Sequence, residues 1–364
     1  MQQDPTPLLE IRGLTTRFQT QNGNLNAADD VSLTVGRAET VGIVGESGCG
    51  KSVTSLSVLR LVPSPGRIVS GSVFFEGEDL IARTGRQMEE IRGRDISMIF
   101  QEPMTSLNPV YTVGRQVAEA LLVHNRGSGH GGGSGQDGNA GGASTGRRAD
   151  HSGGVARGAR RKAARKKVIE LFGHVGISEP EARFDAYPHQ LSGGLRQRAM
   201  IAMALICRPK LIIADEPTTA LDVTIEAQIL RLMKKLQEET GTSILLISHN
   251  LGVIAETCDR VYVMYAGRIV EEADVFDLFG RTFHPYTSGL LASIPRKNGD
   301  VEPGKPLRSI PGGVPDMTRL PSGCKFAPRC GDFMDICGRK EPELADCGSG
   351  HKVRCWKYID REGA

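Results

Sequence analysis

Thr40 to Ser52 reads TVGIVGESGCGKS, and the order of its parts decides the architecture around it. Thr40–Val44 is a short apolar run suited to a buried strand, GESGCG is a glycine loop, and Lys51 to Leu61 predicts a helix stopped by Pro63. Gly45 to Ser52 fits the phosphate-binding pattern G-x-x-x-x-G-K-[ST]. Gly45, Gly48 and Gly50 let the backbone fold tightly enough to aim its N–H groups at phosphates, and the helix beginning near Lys51 adds its positive end. Glu46, Ser47, Cys49 and Val53 complete the candidate nucleotide cradle. Lys51 would bring a point charge to a nucleotide's β- and γ-phosphates, and the Ser52 hydroxyl could ligate Mg²⁺. A glycine-rich turn without a ligand is the plainer alternative, which the strand before it and the helix after it argue against.

Downstream, Leu211–Ala214, Ser243–Ile247 and Arg260–Met264 are apolar runs rich in Ile, Leu and Val, as strands of a mostly parallel sheet require. Between the first two, Thr224 to Glu239 carries Ile229, Leu232, Met233 and Leu236 at helical spacing and ends before Gly241. The alternation predicts an α/β fold. The string LIIADE ends in Asp215 and Glu216. A strand ending in an acid puts a carboxylate at the sheet edge beside the phosphate loop, where Asp215 could bind Mg²⁺ through water. Glu216 is then free to polarise the attacking water as general base. Two acids at a strand end are weak on their own and strong when paired with the loop upstream.

The chain has 364 residues, enough for one large domain and a smaller one, with 39% hydrophobic residues as a globular core requires. Lys and Arg outnumber Asp and Glu by 45 to 42, so charge gives no general reason to expect a nucleic-acid partner. No apolar run reaches the roughly 18 residues that cross a bilayer. The opening MQQDPTPLLE lacks the layout of a secretory signal, so the chain is expected to stay inside the cell. From Gly127 to about Ala159 the sequence is rich in Gly and Ser, which predicts a disordered insertion. It runs into RGARRKAARKK, Arg157 to Lys167, read as the solvated start of a helix rather than as a site for nucleic acid or anionic lipid.

LSGGLRQR, from Leu191 to Arg198, narrows the reading, because here the sequence resembles the ATP-binding cassette superfamily, whose signature begins Leu-Ser-Gly-Gly. The resemblance implies a P-loop cassette with a mostly parallel sheet core, an antiparallel β part and a helical subdomain. It also implies that Ser192, Gly193 and Gly194 meet the γ-phosphate of ATP held by a second cassette. Ser-Gly-Gly at a helix start suits an anion. By the same resemblance Gln101 touches Mg²⁺ and water, His249 holds the γ-phosphate and water, and Ala220, Leu221 and Asp222 link the composite sites. Phe18 is the candidate to stack on adenine.

QEPMTSLNPVYTVG from Gln101, YPHQLSGGLRQRAMIAMAL from Tyr187 and ADEPTTALDVTIEAQIL from Ala214 resemble the ATPase subunits of oligopeptide and dipeptide ABC transporters, closer to the kind lettered D. The implied organisation is a cassette over residues 1–283, with its helical subdomain at about 102–190, and a peptide-transporter C-terminal region over 284–364. The implied partners are a second, different ATPase subunit, two integral membrane permeases and, indirectly, an extracytoplasmic solute-binding protein, with no nucleic acid. The place is the cytoplasmic face of the cell membrane. Import of a metal ion such as nickel is the alternative within transport, and a soluble cassette ATPase acting on nucleic acid is the rival outside it.

Five of the eight cysteines crowd the tail. Cys324, Cys330, Cys337 and Cys355 give C-x5-C-x6-C-x17-C, and some peptide-transporter ATPases hold a [4Fe-4S] cluster in a similar region. Four thiolates suit a cluster or Zn²⁺, and the missing C-x2-C pairs favour the cluster. Cys347 is a bystander or an alternative fourth ligand, and simple packing of reduced cysteines is the remaining alternative.

Overall fold

The computed structural model describes residues 6–21, 23–101, 106–124, 151–219, 222–294 and 310–359, with backbone alone for 151–157. Among the described residues the strands are β1 (Leu9–Thr20), β2 (Gly23–Val35), β3 (Thr40–Val44), β4 (Gly66–Phe75), β5 (Glu78–Asp79), β6 (Ile96–Ile99), β7 (Leu211–Asp215), β8 (Ser243–Ser248), β9 (Arg260–Tyr265), β10 (Arg268–Asp274), β11 (Ala345–Asp346) and β12 (Lys352–Val353). The α-helices are α1 (Lys51–Val58), α2 (Gly85–Ile91), α3 (Val113–His124), α4 (His151–His174), α5 (Pro180–Phe184), α6 (Gly193–Leu205), α7 (Val223–Thr240), α8 (Leu251–Thr257), α9 (Val275–Gly280) and α10 (Pro285–Ala292). The chain divides into two compact units, residues 1–101 with 209–364, and residues 102–208.

The first unit carries an eight-stranded sheet in the order β11-β12-β10-β9-β3-β8-β7-β6. From β9 to β6 its pairings are parallel, and β10, β12 and β11 add an antiparallel edge. Every residue of β3, β7 and β8 is buried, which explains why these strands read as unbroken apolar runs rather than alternating ones. A second, antiparallel sheet runs β2-β1-β4-β5. Leu9, Ile11 and Val31 from that sheet share one core with Ile43, Leu245, Ile247 and Met264 from the larger one. Removing each such side chain from water contributes about 1.5–3 kcal/mol.

The helix after the glycine loop ends at Val58, earlier than Pro63 would impose. Arg60 adopts the left-handed conformation at φ 52°, and the N–H groups of Arg60 and Leu61 close onto the carbonyls of Ser57 and Leu56 at 3.0 and 2.8 Å. This double closure satisfies the terminal carbonyls without a glycine.

The second unit is helical. Val113 at the start of α3 donates its N–H to Ala186 at 2.9 Å, and Gly114 lies so near Phe184 that a Cβ there would come within 2.3 Å of the ring. Val117, Val168, Phe172, Ala199 and Ile201 form its buried face. This unit extends through α6 to Arg208, beyond the boundary of about 190 expected from sequence. The expected disordered insertion falls largely on residues 125–150, outside the described residues, but from His151 onward the backbone is helical. The basic run therefore lies within α4, whose Ala164, Val168 and Phe172 are buried while Lys166 and Lys167 are exposed.

The C-terminal region expected over residues 284–364 packs into the first unit where it is described. Residues 310–359 belong to the first unit. β12 pairs with β10, and Arg354 donates its N–H to the Val270 carbonyl at 2.8 Å. So short a segment has little core of its own, and the sheet edge supplies both hydrogen bonds and apolar cover.

Candidate functional site

The site forms where β3, β7 and β8 end. β3 delivers the chain into the glycine loop at Gly45, where a Cβ would lie 2.2 Å from the Met264 carbonyl oxygen, and at Gly50 one would lie 2.0 Å from that of Ala27. Only glycine permits these approaches. Glu46 is half-buried, Ser47 and Gly48 are exposed, and Cys49 is buried beneath the loop. Lys51 opens α1, is 5% exposed, and donates from Nζ to the carbonyls of Gly45 and Glu46 at 2.8 and 3.0 Å. Among the described residues no ion pair joins it to a carboxylate. Nζ also donates to Cys49 Sγ at 3.8 Å. A buried ammonium held by carbonyls and a thiol rather than by a carboxylate, at the start of a helix, is a cation suited to an anionic ligand. A nucleotide's phosphates fit this donor set.

Ser52 follows on α1, and its hydroxyl donates to Asp215 Oδ1 at 3.0 Å. Asp215 ends β7 at 5% exposure. Burial pushes its pKa up and the charge of Glu216 adds to this, while the Ser52 hydrogen bond and the charge of Lys51 pull it down. A hydroxyl and a carboxylate meeting at the loop are hard oxygen donors suited to Mg²⁺ that arrives with its nucleotide. Val53 is half-buried in α1, its carbonyl accepting the Ser57 hydroxyl at 2.6 Å.

Glu216 is the point of convergence. Its backbone is left-handed at φ 46°, which costs a non-glycine residue about 1–3 kcal/mol and turns the side chain off the strand end. Gln101 Nε2 donates to Oε2 at 2.8 Å, the Thr219 hydroxyl donates to the same oxygen at 3.0 Å, and His249 Nδ1 lies 3.2 Å from Oε1. Burial would raise the Glu216 pKa, but the hydrogen bonds from His249 and Thr219 and the charges of His249 and Lys51 outweigh it, so the carboxyl sits below its ordinary range. Gln101 and His249, distant in sequence, thus join the nearby Thr219 in holding one ionised carboxylate. Thr219 was missed in the sequence reading, although it stands in the quoted string ADEPTTALD.

Other expected residues are placed differently. Ser192 caps α6, its hydroxyl accepting the Leu195 N–H at 3.4 Å, and Ser192 and Gly193 are exposed while Gly194 is half-buried, all in the second unit. Asp222 caps α7, accepting the Ile225 N–H at 2.9 Å, and Ala220 and Leu221 lie outside the described residues. Phe18 packs its ring against Gly66 of the neighbouring strand, two residues after Thr16, whose hydroxyl bonds that of Ser57 on α1 at 2.8 Å.

The tail cysteines require a correction. Among the described residues no group of three or more potential ligands is arranged to hold a metal ion, so the expected set is not a formed metal site. The thiols are nonetheless neighbours. Burial pushes Cys324 up to about 11, a backbone hydrogen bond from Phe326 opposes this, and the charges of Cys337, Cys355 and Cys330 add to it. Burial also raises Cys330 and Cys355, each of which feels Cys337. Cys347, raised by burial and by Asp346 and Glu271, feels none of them.

Two residues that touch the loop had no signal in the sequence. Tyr286 accepts the Glu46 N–H at 2.9 Å, and Arg329 forms a two-pronged ion pair with the Glu46 carboxylate. They lie 240 and 283 positions away along the chain.

Residues 28–219 match the ABC transporter family, and residues 270–337 match the oligopeptide/dipeptide transporter C-terminal region. The chain is 48% identical to the oligopeptide transport ATP-binding protein AppD of Bacillus subtilis over 98% of both chains. It is 45% identical to the dipeptide transport ATP-binding protein DppD of the same organism, over 97% of this chain and 96% of that one. Among solved structures it resembles the ATP-binding cassette MJ0796, described as a dimer in a post-hydrolysis state bound to ADP and Pi, with a TM-score of 0.58, 25% identity, and coverage of 76% of this chain and 100% of that one. A glycine cradle, a strand-end acid pair and a Ser-Gly-Gly helix start, joined to these matches, show that the chain belongs to the ABC transporter ATP-binding family, in the branch that carries the oligopeptide/dipeptide transporter C-terminal region.

Proposed function

We infer that this chain is the ATP-hydrolysing subunit of an importer of oligopeptides or dipeptides. The observation that carries the chemistry is the Glu216 carboxylate, ionised and held from three directions beside the Ser52–Asp215 pair. With ATP and Mg²⁺ in the cradle, Lys51 would turn from its carbonyls to the β- and γ-phosphates, the Ser52 hydroxyl would ligate the metal and Asp215 would hold it through water. Glu216 orients and polarises the water while Gln101 and His249 hold that carboxylate in register. Its depressed pKa keeps it in the accepting form at neutral pH.

Ser192, Gly193 and Gly194, exposed at a helix start, support a role in covering the nucleotide of a second cassette, and the dimeric cassette among the structural relatives supports the same reading. The working assembly is then this chain, a different ATPase partner and two permeases at the cytoplasmic face of the membrane, fed by a solute-binding protein. No helix among the described residues is long and apolar enough to cross a membrane. Relatives named for peptides favour peptide cargo over the metal-ion alternative.

The finer reading of the tail is that Cys324, Cys330, Cys337 and Cys355 carry a metal or a [4Fe-4S] cluster. Their proximity and the separation of Cys347 support it, and the lack of a preformed ligand group stands against it. Iron and sulfide content of anaerobically purified protein decides, with Cys337→Ser expected to lose both and Cys347→Ser neither.

The function itself is tested by Glu216→Gln in the assembled complex. ATP-driven peptide uptake into vesicles should be abolished while nucleotide binding persists; undiminished uptake would remove Glu216 from the reading.

A further inference from the structure

The segment Cys324–Cys330 reaches back to the phosphate loop. Arg329 Nη1 and Nη2 donate to Glu46 Oε2 and Oε1 at 2.7 and 2.9 Å, with Arg329 7% exposed and Glu46 22%. The guanidinium is itself fixed, since Nε donates to the Pro311 carbonyl at 2.8 Å and its carbon lies 5.8 and 5.9 Å from the ring centroids of Tyr265 and Phe326. Those rings pack at 5.2 Å, and Tyr286, 4.6 Å from Tyr265, takes the Glu46 N–H on its hydroxyl. Glu46 is therefore gripped at backbone and side chain by groups from the C-terminal part of the chain. Its carbonyl in turn accepts Lys51 Nζ at 3.0 Å and the Cys49 N–H at 3.2 Å. Displacing Glu46 displaces the seat of the phosphate-binding lysine.

A pair as buried as this contributes little net stability, because desolvation offsets the attraction, but its two-pronged geometry fixes position. The turn that carries Arg329 is short and closed. Cys324 donates its N–H to Cys337 at 2.8 Å, Ala327 donates to Cys324 at 3.0 Å, and Cys330 to Ala327 at 3.3 Å. A change at these thiols would move Arg329 with them.

We propose that Arg329 is a positioning residue for the phosphate loop, through which the cysteine-bearing turn and nucleotide binding are coupled. This rests on the reading of Gly45–Ser52 as the ATP site. Coupling is reciprocal, so ATP must also tighten the turn.

The experiment uses the complete complex, a fluorescent ATP analogue and hydrogen exchange read by mass spectrometry. Arg329→Gln should weaken analogue binding by about tenfold, within the usual range of coupling between sites, and raise KM for ATP more than it lowers kcat. Arg329→Lys should recover part of the loss, since an ammonium cannot make the two-pronged contact. In the unaltered protein ATP should slow exchange at the amides of residues 324–330, and in Arg329→Gln that protection should vanish even at saturating ATP. Arg339→Gln, another tail arginine, should change neither quantity. If Arg329→Gln does not fold, Glu46→Gln removes the charge while keeping the shape and should shift binding in the same direction. Unchanged analogue affinity together with persisting ATP protection would overturn the proposal. If Lys51→Ala also binds the analogue normally, the ATP-site reading fails instead.

Discussion

Glu216 shows how the ionisation of one residue is set by others. Its ionisation reflects a contest in which burial favours the neutral acid and His249, Thr219 and Lys51 together favour the carboxylate. Removing His249 deletes both a hydrogen bond and a charge, so the Glu216 pKa should rise and the acid limb of the ATPase pH–rate profile should move to higher pH. His249→Ala should also lower kcat by about 100-fold, the scale of a mispositioned general base, with nucleotide affinity nearly unchanged. Steady-state rates across pH 5 to 8 check both. Thr219→Val should move the limb in the same direction by less, because one neutral hydrogen bond is lost and no charge. A profile that stays in place in both variants would mean the limb belongs to another group.

At the scale of elements, the loop between β3 and α1 is a contact between backbones rather than a flexible turn. Gly45→Ala and Gly50→Ala each drive a methyl into a carbonyl oxygen, of Met264 and Ala27, so the loop must shift. Both variants should lose ATP-analogue binding by more than tenfold, a misplacement effect, and unfold at lower temperature. Asp222 makes a contrasting case. Its carboxylate is engaged as the cap of α7, so Asp222→Ala should cost about 1 kcal/mol of stability by urea titration. Asp222→Asn keeps an acceptor and should recover most of that. Any loss of ATPase activity that Asp222→Asn fails to rescue would assign the side chain a role beyond capping.

At the largest scale, the first unit is closed by what the tail lays against its sheet edge. Glu271 on β10 is fully buried and accepts the N–H groups of Phe283 and His284 and a bond from His351 Nε2 at 2.8 Å. His284, also buried, accepts the Tyr286 N–H on Nδ1 at 3.0 Å, and burial pushes its pKa from 6.5 down to about 3 against an opposing backbone hydrogen bond to Arg354. The unfolded chain therefore takes up a proton near pH 6.5 that the folded chain refuses until about pH 3. This contribution is fully present above pH 6.5 and is lost as pH falls toward 3, at up to about 1.4 kcal/mol per pH unit. Urea midpoints measured from pH 7 to 5 should fall accordingly, and His284→Asn, which keeps the cap acceptor without the titration, should flatten the slope.

The sequence by itself determined the strand, glycine loop and helix order and the parallel sheet, and it singled out Lys51, Ser52 and Asp215 as candidates, because those follow from local spacing and apolar periodicity. Glu216 was also legible, since an acid after a buried strand has few other uses beside a phosphate loop. Only tertiary structure decided that Thr219, Gln101 and His249 converge on one carboxylate, that α1 stops at a left-handed Arg60, and that Arg329 and Tyr286 grip Glu46. It also decided that the tail extends the main sheet, and that its cysteines form no preformed metal site among the described residues. The longest-range of these depend on which surfaces meet after collapse, and contacts such as that of Arg329 with Glu46, 283 positions apart, leave no periodic trace in the chain that makes them.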